Sequence, residues 1–297
     1  MSWAAAVLQL LRGMNSFHTQ GSSKASCKPF HVCGQAVGVV PPRVTALLPR
    51  HPDVFQLSEC EPVQLCAGMS TYEERSHALR RVLDQWRQLE LFDCLRGWRD
   101  ENYEVMPRFC DPPLMHVERS AASLFGIKTY GVHVNGYVRL EDGGLAMWIG
   151  RRAHSKQTFP GMLDNLAAGG LSAGLGVKET AVKECAEEAS IPECVAAMAV
   201  PAGSVSYTYE DERGIFPECQ FVYDLELPAD LVPRVGDGEM SGFYLWPLEQ
   251  VREAIAGSEF KPNCAMVALD FLIRHGVVHA DSEPYYQQLV EGLHREL

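Results

Sequence analysis

Glu184, Glu187 and Glu188 lie within the run Val177-Lys-Glu-Thr-Ala-Val-Lys-Glu-Cys-Ala-Glu-Glu-Ala189. Spacings of three and four residues make them neighbours on one face if the run is helical. Ala181, Val182, Cys185 and Ala189 recur at helical period and form an apolar stripe that can dock on a sheet. Three crowded carboxylates repel at neutral pH unless water solvates them or a cation bridges them. A hard divalent ion such as Mg²⁺, with Mn²⁺ as a substitute, takes oxygen ligands and commonly shares them with substrate phosphates. For an acidic cluster taken alone, a solvated helix face is the commoner outcome.

The elements that must hold this helix can be read around it. A glycine-rich turn, Gly169-Gly-Leu-Ser-Ala-Gly-Leu-Gly176, precedes the helix predicted over 177–190. Upstream, 130–140 and 145–149 alternate like paired strands around Glu141-Asp-Gly-Gly144. Further strands are expected over 205–209, 220–225 and 243–246, and helices over 248–256, 263–274 and 283–296. This succession predicts an α/β mixed sheet with helices packed on it. An earlier block, 38–124, has its clearest element at Thr71-Tyr-Glu-Glu74, a capping box opening a helix. Leu79, Val82, Leu83, Trp86 and Leu89 follow at helical spacing.

Composition narrows the function. The 297 residues carry a formal net charge of −12, with 46% hydrophobic and 22% charged residues. That balance excludes wholesale disorder, and the acidity argues against a nucleic-acid polymer, whose binding rests on Lys and Arg neutralising phosphates. No apolar run approaches the roughly 20 residues of a membrane span. Residues 1–52 contain Arg12, Lys24, Lys28, Arg43 and Arg50 but no acid before Asp53. With Leu8, Leu10, Leu11 and Arg12 on a short amphipathic helix, residues 1–37 are expected to be a tail or a mitochondrial transit peptide. The ten cysteines show no CxxC pair and no zinc spacing. An intracellular, reducing setting, mitochondrial or cytoplasmic, is the expectation.

The run from Gly169 to Ile191 resembles the Nudix box: glycine, five residues, Glu, seven residues, then Arg-Glu-apolar-x-Glu-Glu-x-Gly-apolar. Gly169, Lys183, Glu184, Cys185, Glu187, Glu188 and Ile191 fall in register. Leu175 stands at the first acidic position, Lys183 replaces Arg, and Ser190 replaces the closing glycine. Glu179 is a stand-in for the missing early carboxylate, one turn further along. Phe159–Gly170, Tyr130–Gly136, Phe260–Met266, Arg274-His-Gly276 and Gly97–Glu101 resemble one Nudix branch, the thiamin pyrophosphokinase-related one, which carries an extra N-terminal domain. The similarity spans roughly residues 38–295.

The resemblance implies a Nudix α/β/α sandwich over 125–297, preceded by a smaller α/β domain over 38–124 packed near the active-site mouth. It implies a hydrolase that cleaves the diphosphate linkage of a small molecule, associated with damaged thiamin diphosphate or with oxidised nucleoside diphosphates such as 8-oxo-dGDP. Glu184, Glu187 and Glu188 would hold Mg²⁺, with Glu184 counted among the catalytic groups, and a separate carboxylate would take the water proton. Glu239, in Gly236-Asp-Gly-Glu-Met240 ahead of a strand, is the candidate for that acid–base role. Arg151, Arg152 and Lys156 are candidates for phosphate contact, and Gly169 and Gly170 for close approach of backbone to substrate. Asp164 and Asn165 would shape the turn or touch the organic half, and Trp148, Tyr130 and Phe159 could stack on a ring. Two alternatives stand beside this reading. One is an isomerase of isopentenyl-diphosphate type, which needs a cysteine facing a glutamate across an alkene; the other is a non-catalytic diphosphate-binding module.

Overall fold

The structure, a computed structural model, describes residues 1–58 and 61–297, so Cys60 of the ten cysteines lies outside the described residues. In chain order the elements are α1 (Trp3–Met14), β1 (Lys28–Val32), β2 (Gln35–Val40), α2 (Pro42–Thr45), β3 (Phe55–Gln56), β4 (Val63–Leu65) and α3 (Tyr72–Gln88). The hairpin strands β5 (Asn102–Val105) and β6 (Met115–Glu118) follow. Next come β7 (Thr129–Arg139), β8 (Leu145–Arg152), β9 (Leu163–Asp164), β10 (Ala167–Gly170), α4 (Val177–Ala189) and α5 (Glu193–Ala196). The chain ends with β11 (Val200–Asp211), β12 (Gly214–Glu226), β13 (Met240–Pro247), α6 (Leu248–Ile255), α7 (Pro262–Arg274) and α8 (Tyr286–Gly292).

The first unit is a small sheet of order β2-β1-β4-β3, a β5–β6 hairpin and α3. Its core runs from Phe30 to Ile127, so the unit starts nearer residue 28 than 38. The capping box of α3 forms as expected: Glu74 N–H donates to Thr71 Oγ1 at 3.2 Å, and Thr71 N–H donates to Glu74 Oε2 at 3.0 Å. The apolar stripe brings Trp86 into a stack with Phe125, ring centroids 6.1 Å apart.

The second unit is a mixed sheet of order β11-β12-β7-β8-β13, with β10 added to β7 and β9 to β8. Period-two alternation gives the sheet two apolar faces. On β8, Ala146 and Trp148 join the core under α4, whereas Met147 and Ile149 join the core under α6 and α7. A sheet apolar on both faces needs a layer on each, which is the α/β/α sandwich. Trp148 is therefore core and does not reach a ligand. The helix expected over 283–296 is shorter because, past Gly292, the chain pairs with β11: Arg295 N–H donates to Ser206 O at 3.0 Å.

Residues 1–37 are not a detached tail. Val7 and Leu11 are buried in the core shared with α7 and α8. Trp3 Nε1–H donates to Arg252 O at 2.6 Å, and Asn15 Nδ2–H to Gly292 O at 2.9 Å. Val7, Leu11 and Met14 are spaced by four and three, so the same amphipathicity that suggested a transit peptide is satisfied by packing. Among the described residues no helix is long and apolar enough to cross a membrane.

A buried polar strut ties the layers together. Asp164 is 1% exposed and takes Arg152 Nη1–H at 2.9 Å, Cys264 Sγ–H at 2.7 Å and its own chain's Asn165 N–H at 2.8 Å. Lys261 Nζ stands 3.5 Å away. Burial works to raise this carboxyl, but the Lys261 and Arg152 charges overcome it and hold it at about 2. Beside it, His133 Nδ1–H donates to Asn165 Oδ1 at 2.8 Å, with Asn165 Nδ2–H reaching Asn135 Oδ1 at 3.3 Å. Burial, then the Lys261 charge, pushes the His133 imidazole down to about 4.

Two expectations follow from the strut. Asp164→Asn leaves Arg152 and Lys261 without their buried counter-charge, so unfolding in urea should show a loss of about 3–5 kcal/mol; a loss under about 1 kcal/mol would contradict the strut. His133 binds a proton in the unfolded chain below its ordinary value of 6.5 but in the folded chain only below about 4. Stability from this group is thus complete above pH 6.5 and falls as pH drops towards 4, by up to about 3 kcal/mol. The stability difference between wild type and His133→Asn, taken from urea unfolding at each pH from 7 to 4, should change by that amount.

Candidate active site

A cavity of about 730 Å³ opens between the acidic end of α4, strand β10, the start of α7 and the N-terminal unit. Glu188, Glu239, Lys156, Lys261, Gly169 and Gly170 are among its walls. The α4 stripe docks as expected, Ala181, Cys185 and Ala189 all being fully buried, and this turns the glutamates towards β10. Glu188 is 2% exposed, and its Oε2 accepts Ala168 N–H at 2.9 Å. Among the described residues it has no cationic partner. Burial and then the Asp164 charge raise its carboxyl well above the usual range. Glu184 is raised too, by burial and by Glu187 and Glu239 against the opposing Lys183. Its carboxyl occupies the space that a Cβ on residue 169 would need, so Gly169 is what lets Glu184 reach the strand. Glu187 points outward to Lys183 Nζ at 2.9 Å.

The donor chemistry fits a hard divalent ion: oxygen ligands only, and one deeply buried carboxylate that makes no ion pair among the described residues. Among the described residues no three Asp, Glu, His or Cys side chains are gathered tightly enough to cage an ion as they stand. Glu187 is the one drawn away, by Lys183.

Glu239 is carried to this helix by backbone bonds that satisfy the carbonyls left over at a helix C-terminus. Arg234, Gly236 and Asp237 donate N–H groups to the oxygens of Ala189, Glu188 and Glu187 at 2.9, 3.2 and 2.9 Å. A Cβ at residue 236 would strike the Glu187 carbonyl, so this close approach requires glycine. Ser190 then closes α4 in the left-handed region, φ 53°, where a glycine would be unstrained. The Glu239 carboxylate pairs with Lys156 Nζ at the cavity wall.

Several sequence candidates lie elsewhere. Arg151 is off the cavity, bound to Gly161 O at 2.8 Å and Glu259 at 3.1 Å. Arg152 reaches the wall, but its donors are committed to Asp164, Thr158 O and Phe159 O. Asp164 and Asn165 are sealed inside the strut and touch no ligand space. Glu179 faces solvent and approaches Gly176 N–H at 3.5 Å, so it caps the helix instead of replacing a ligand at Leu175. Lys156, Gly169, Gly170, Tyr130 and Phe159 do line the cavity.

Lys261 was missed. Pro262 opens α7 and leaves Lys261 at its N-cap position, its ammonium between Asp164 and the cavity. Burial alone would lower that ammonium, yet the Asp164 charge carries it above its usual value and keeps it cationic. A lysine preceding Pro-Asn at a helix start was the available signal; the buried aspartate that explains it lies 97 residues earlier.

The family model described as "Domain of unknown function (DUF4743)" matches residues 6–129, and the model described as "NUDIX domain" matches residues 129–264. "Nudix hydrolase 20, chloroplastic" of Arabidopsis thaliana is 41% identical over 273 residues, covering 88% of this chain and 72% of the relative. "Nudix hydrolase 24, chloroplastic" of the same plant is 40% identical over 269 residues, covering 89% and 73%. Among solved structures, a MutT protein from Methanosarcina mazei Go1 is 22% identical with a TM-score of 0.36, over 50% of this chain and 96% of that one. With a long, well-covered identity to Nudix hydrolases and the box glutamates on a helix against a glycine strand, the chain belongs to the Nudix hydrolase family.

Proposed function

We propose that this Nudix hydrolase cleaves the diphosphate linkage of a small organic diphosphate and releases a monophosphate, with damaged thiamin diphosphate or an oxidised nucleoside diphosphate such as 8-oxo-dGDP as the substrate. The observation that carries the reading is Glu188, a buried carboxylate that makes no ion pair among the described residues, on one cavity with Glu239, Lys156 and Lys261. Glu184, Glu187 and Glu188 would hold Mg²⁺ or Mn²⁺. When bound, such an ion supplies charge neutralisation at the diphosphate and activation of water. Lys156 and Lys261 would bind the phosphate oxygens, with Gly169 and Gly170 lining the same cavity. Glu239 would accept the proton of the attacking water, a role open to a carboxylate already on the wall and within range of Glu184. The isomerase alternative gains nothing from Cys264, whose thiol is sealed against Asp164 at 2.7 Å, away from the cavity; the cysteine that lines it is Cys94, on the N-terminal unit.

A screen of diphosphates with Mg²⁺, including oxidised thiamin diphosphates and 8-oxo-dGDP and scored by product mass, tests the reaction. Monophosphate release supports it. Rearrangement without phosphate release would indicate the isomerase, and no turnover of any member would leave a binding module.

Glu188→Gln and Glu187→Gln keep shape while deleting one ligand charge each. Both should lose most turnover, on the order of 10²-fold or more, since ion-held charge is the main stabiliser of a cleaving diphosphate. Equal rates of variants and wild type at saturating Mg²⁺ would remove them from the ligand set. Glu239→Gln should lower kcat by about 10²–10⁴-fold, the size of a general-base contribution, with the Mg²⁺ dependence unchanged. A rate partly restored by high Mg²⁺ would make Glu239 a ligand instead, and an unchanged kcat would exclude it from the site.

A further inference from the structure

The cavity extends beyond the carboxylates of α4. It continues along the sheet face under α7 and is closed on its far side by the N-terminal unit, with Tyr103 and Arg119 from that unit and Tyr207, Tyr209, Phe216 and Glu218 from the sheet among its walls. Nothing in the diphosphate chemistry uses this half. Two polar atoms there are unspent. Glu218 Oε2 accepts both Tyr207 O–H at 2.6 Å and Gln220 Nε2–H at 2.8 Å, whereas its Oε1 accepts no hydrogen bond among the described residues. Gln220 is itself seated by glycine: a Cβ at Gly131, its partner in the β12–β7 register, would collide with the Gln220 amide oxygen. The Tyr207 and Gln220 donors therefore hold one oxygen of Glu218, a residue that lines the cavity, and leave the other without a protein donor among the described residues.

The second atom is the Tyr103 hydroxyl. Tyr103 is 8% exposed, and its oxygen makes no hydrogen bond among the described residues. It is aimed across the unit boundary at β10, where a side chain on residue 170 would displace it. Its carrier is firmly docked. Asn102 O accepts Ala173 N–H at 2.8 Å, Glu101 Oε1 accepts Ser172 Oγ–H at 2.8 Å, and Arg119 Nη1 pairs with Glu101 Oε2 at 2.8 Å. The Glu218 charge is near enough to help raise the Tyr103 phenol, after burial, so the hydroxyl keeps its proton and remains a donor. Tyr209 and Phe216 stack at 4.6 Å between centroids and give this half an aromatic wall.

A donor and an acceptor that no side chain or backbone group pairs, both on residues lining one aromatic-walled pocket, are free to pair with a ligand in place of water. We propose that Glu218 Oε1 and the Tyr103 hydroxyl form a recognition subsite for the organic half of the substrate, specific for a flat heterocycle with an amidine edge, a ring nitrogen beside an exocyclic amino group. The amino group donates to Glu218 and the ring nitrogen accepts from Tyr103. The N-terminal unit thereby supplies a specificity residue and is more than a structural support. This inference rests on the diphosphatase reading for its substrate but concerns binding alone.

The test is calorimetric titration of the full chain without metal, using monophosphates so that no turnover is required. AMP, CMP and thiamin monophosphate carry the amidine edge; UMP and ribose 5-phosphate lack it. At least one of the first group should bind about tenfold or more tighter than both controls, the discrimination expected of a site built to pair a substrate N–H. That ratio should collapse in Glu218→Gln and, independently, in Tyr103→Phe, which removes only an oxygen and keeps the packing of the ring. Read as a ratio of affinities, the result is insensitive to a smaller folded fraction in either variant. No preference in the wild-type chain, or a preference that survives both substitutions, overturns the subsite. Failure of the diphosphatase reading would show separately, as absence of monophosphate product in the Mg²⁺ screen while this binding preference persists.

Discussion

The Asp164 carboxylate is the constraint on which the site depends. It is buried between β8, β9 and α7, and a buried charge survives only with partners. Arg152 and Lys261 neutralise it, the Cys264 thiol and the Asn165 amide complete its donors, and the bonds join β8 and the start of α7 to β9. Arg152 also binds the carbonyls of Thr158 and Phe159, so one guanidinium fixes the turn that leads into the glycine strand. Lys261 is drawn to the mouth of the same cavity. Charge that looks at first like substrate recognition is spent on architecture at Arg152 and remains available at Lys261.

A second constraint joins acid to acid. Glu184, Glu187 and Glu188 ride on α4, while Glu239 rides on a loop that would otherwise be free. The orphan carbonyls at the end of α4 capture the backbone of 234–237, and Gly236 permits contact that any side chain would block. Repulsion between Glu239 and Glu184 is thus built in, held by hydrogen bonds to peptide groups and relieved at present by Lys156 and Lys183. Carboxylates forced together against their own repulsion are poised to gain from a cation.

The mixed sheet and α4 were legible because both rest on local periodicity, 3.6 for the stripe Ala181, Cys185 and Ala189 and two for the strands flanking Glu141–Gly144, whereas the sandwich was implied by the resemblance to the Nudix box. Lys156, Gly169, Gly170 and Glu239, singled out alongside the resemblance to the Nudix box, do line the cavity. What failed depended on partners distant in sequence. Arg151 and Arg152 sit between a strand and a turn like solvated bases, but Glu259 and Asp164 claim them. Residues 1–37 read as a tail because an acid-free amphipathic helix does not announce what it packs on, and its partners, α7 and α8, are at the other end of the chain. Glu218 and Tyr103 carried no pattern at all, since one is a polar residue in a strand and the other belongs to a different unit.

The docking of the two units explains why the glycine strand can be so poor in side chains and still be rigid. Gly169 and Gly170 give β10 no packing of its own, and glycine loses more conformational freedom on folding than any other residue. Order is imposed from outside: Glu184 fills the space beside Gly169, Tyr103 fills the space beside Gly170, and the backbone of Asn102 receives Ala173 just beyond. The catalytic helix braces one face of the strand and the N-terminal unit braces the other. A side chain at either glycine would have to expel one of these neighbours, so the strand keeps its place because two other parts of the molecule hold it. The N-terminal unit is therefore mechanically part of the cavity wall, and loosening its grip on residues 170–173 would soften the same backbone whose Ala168 N–H orients Glu188.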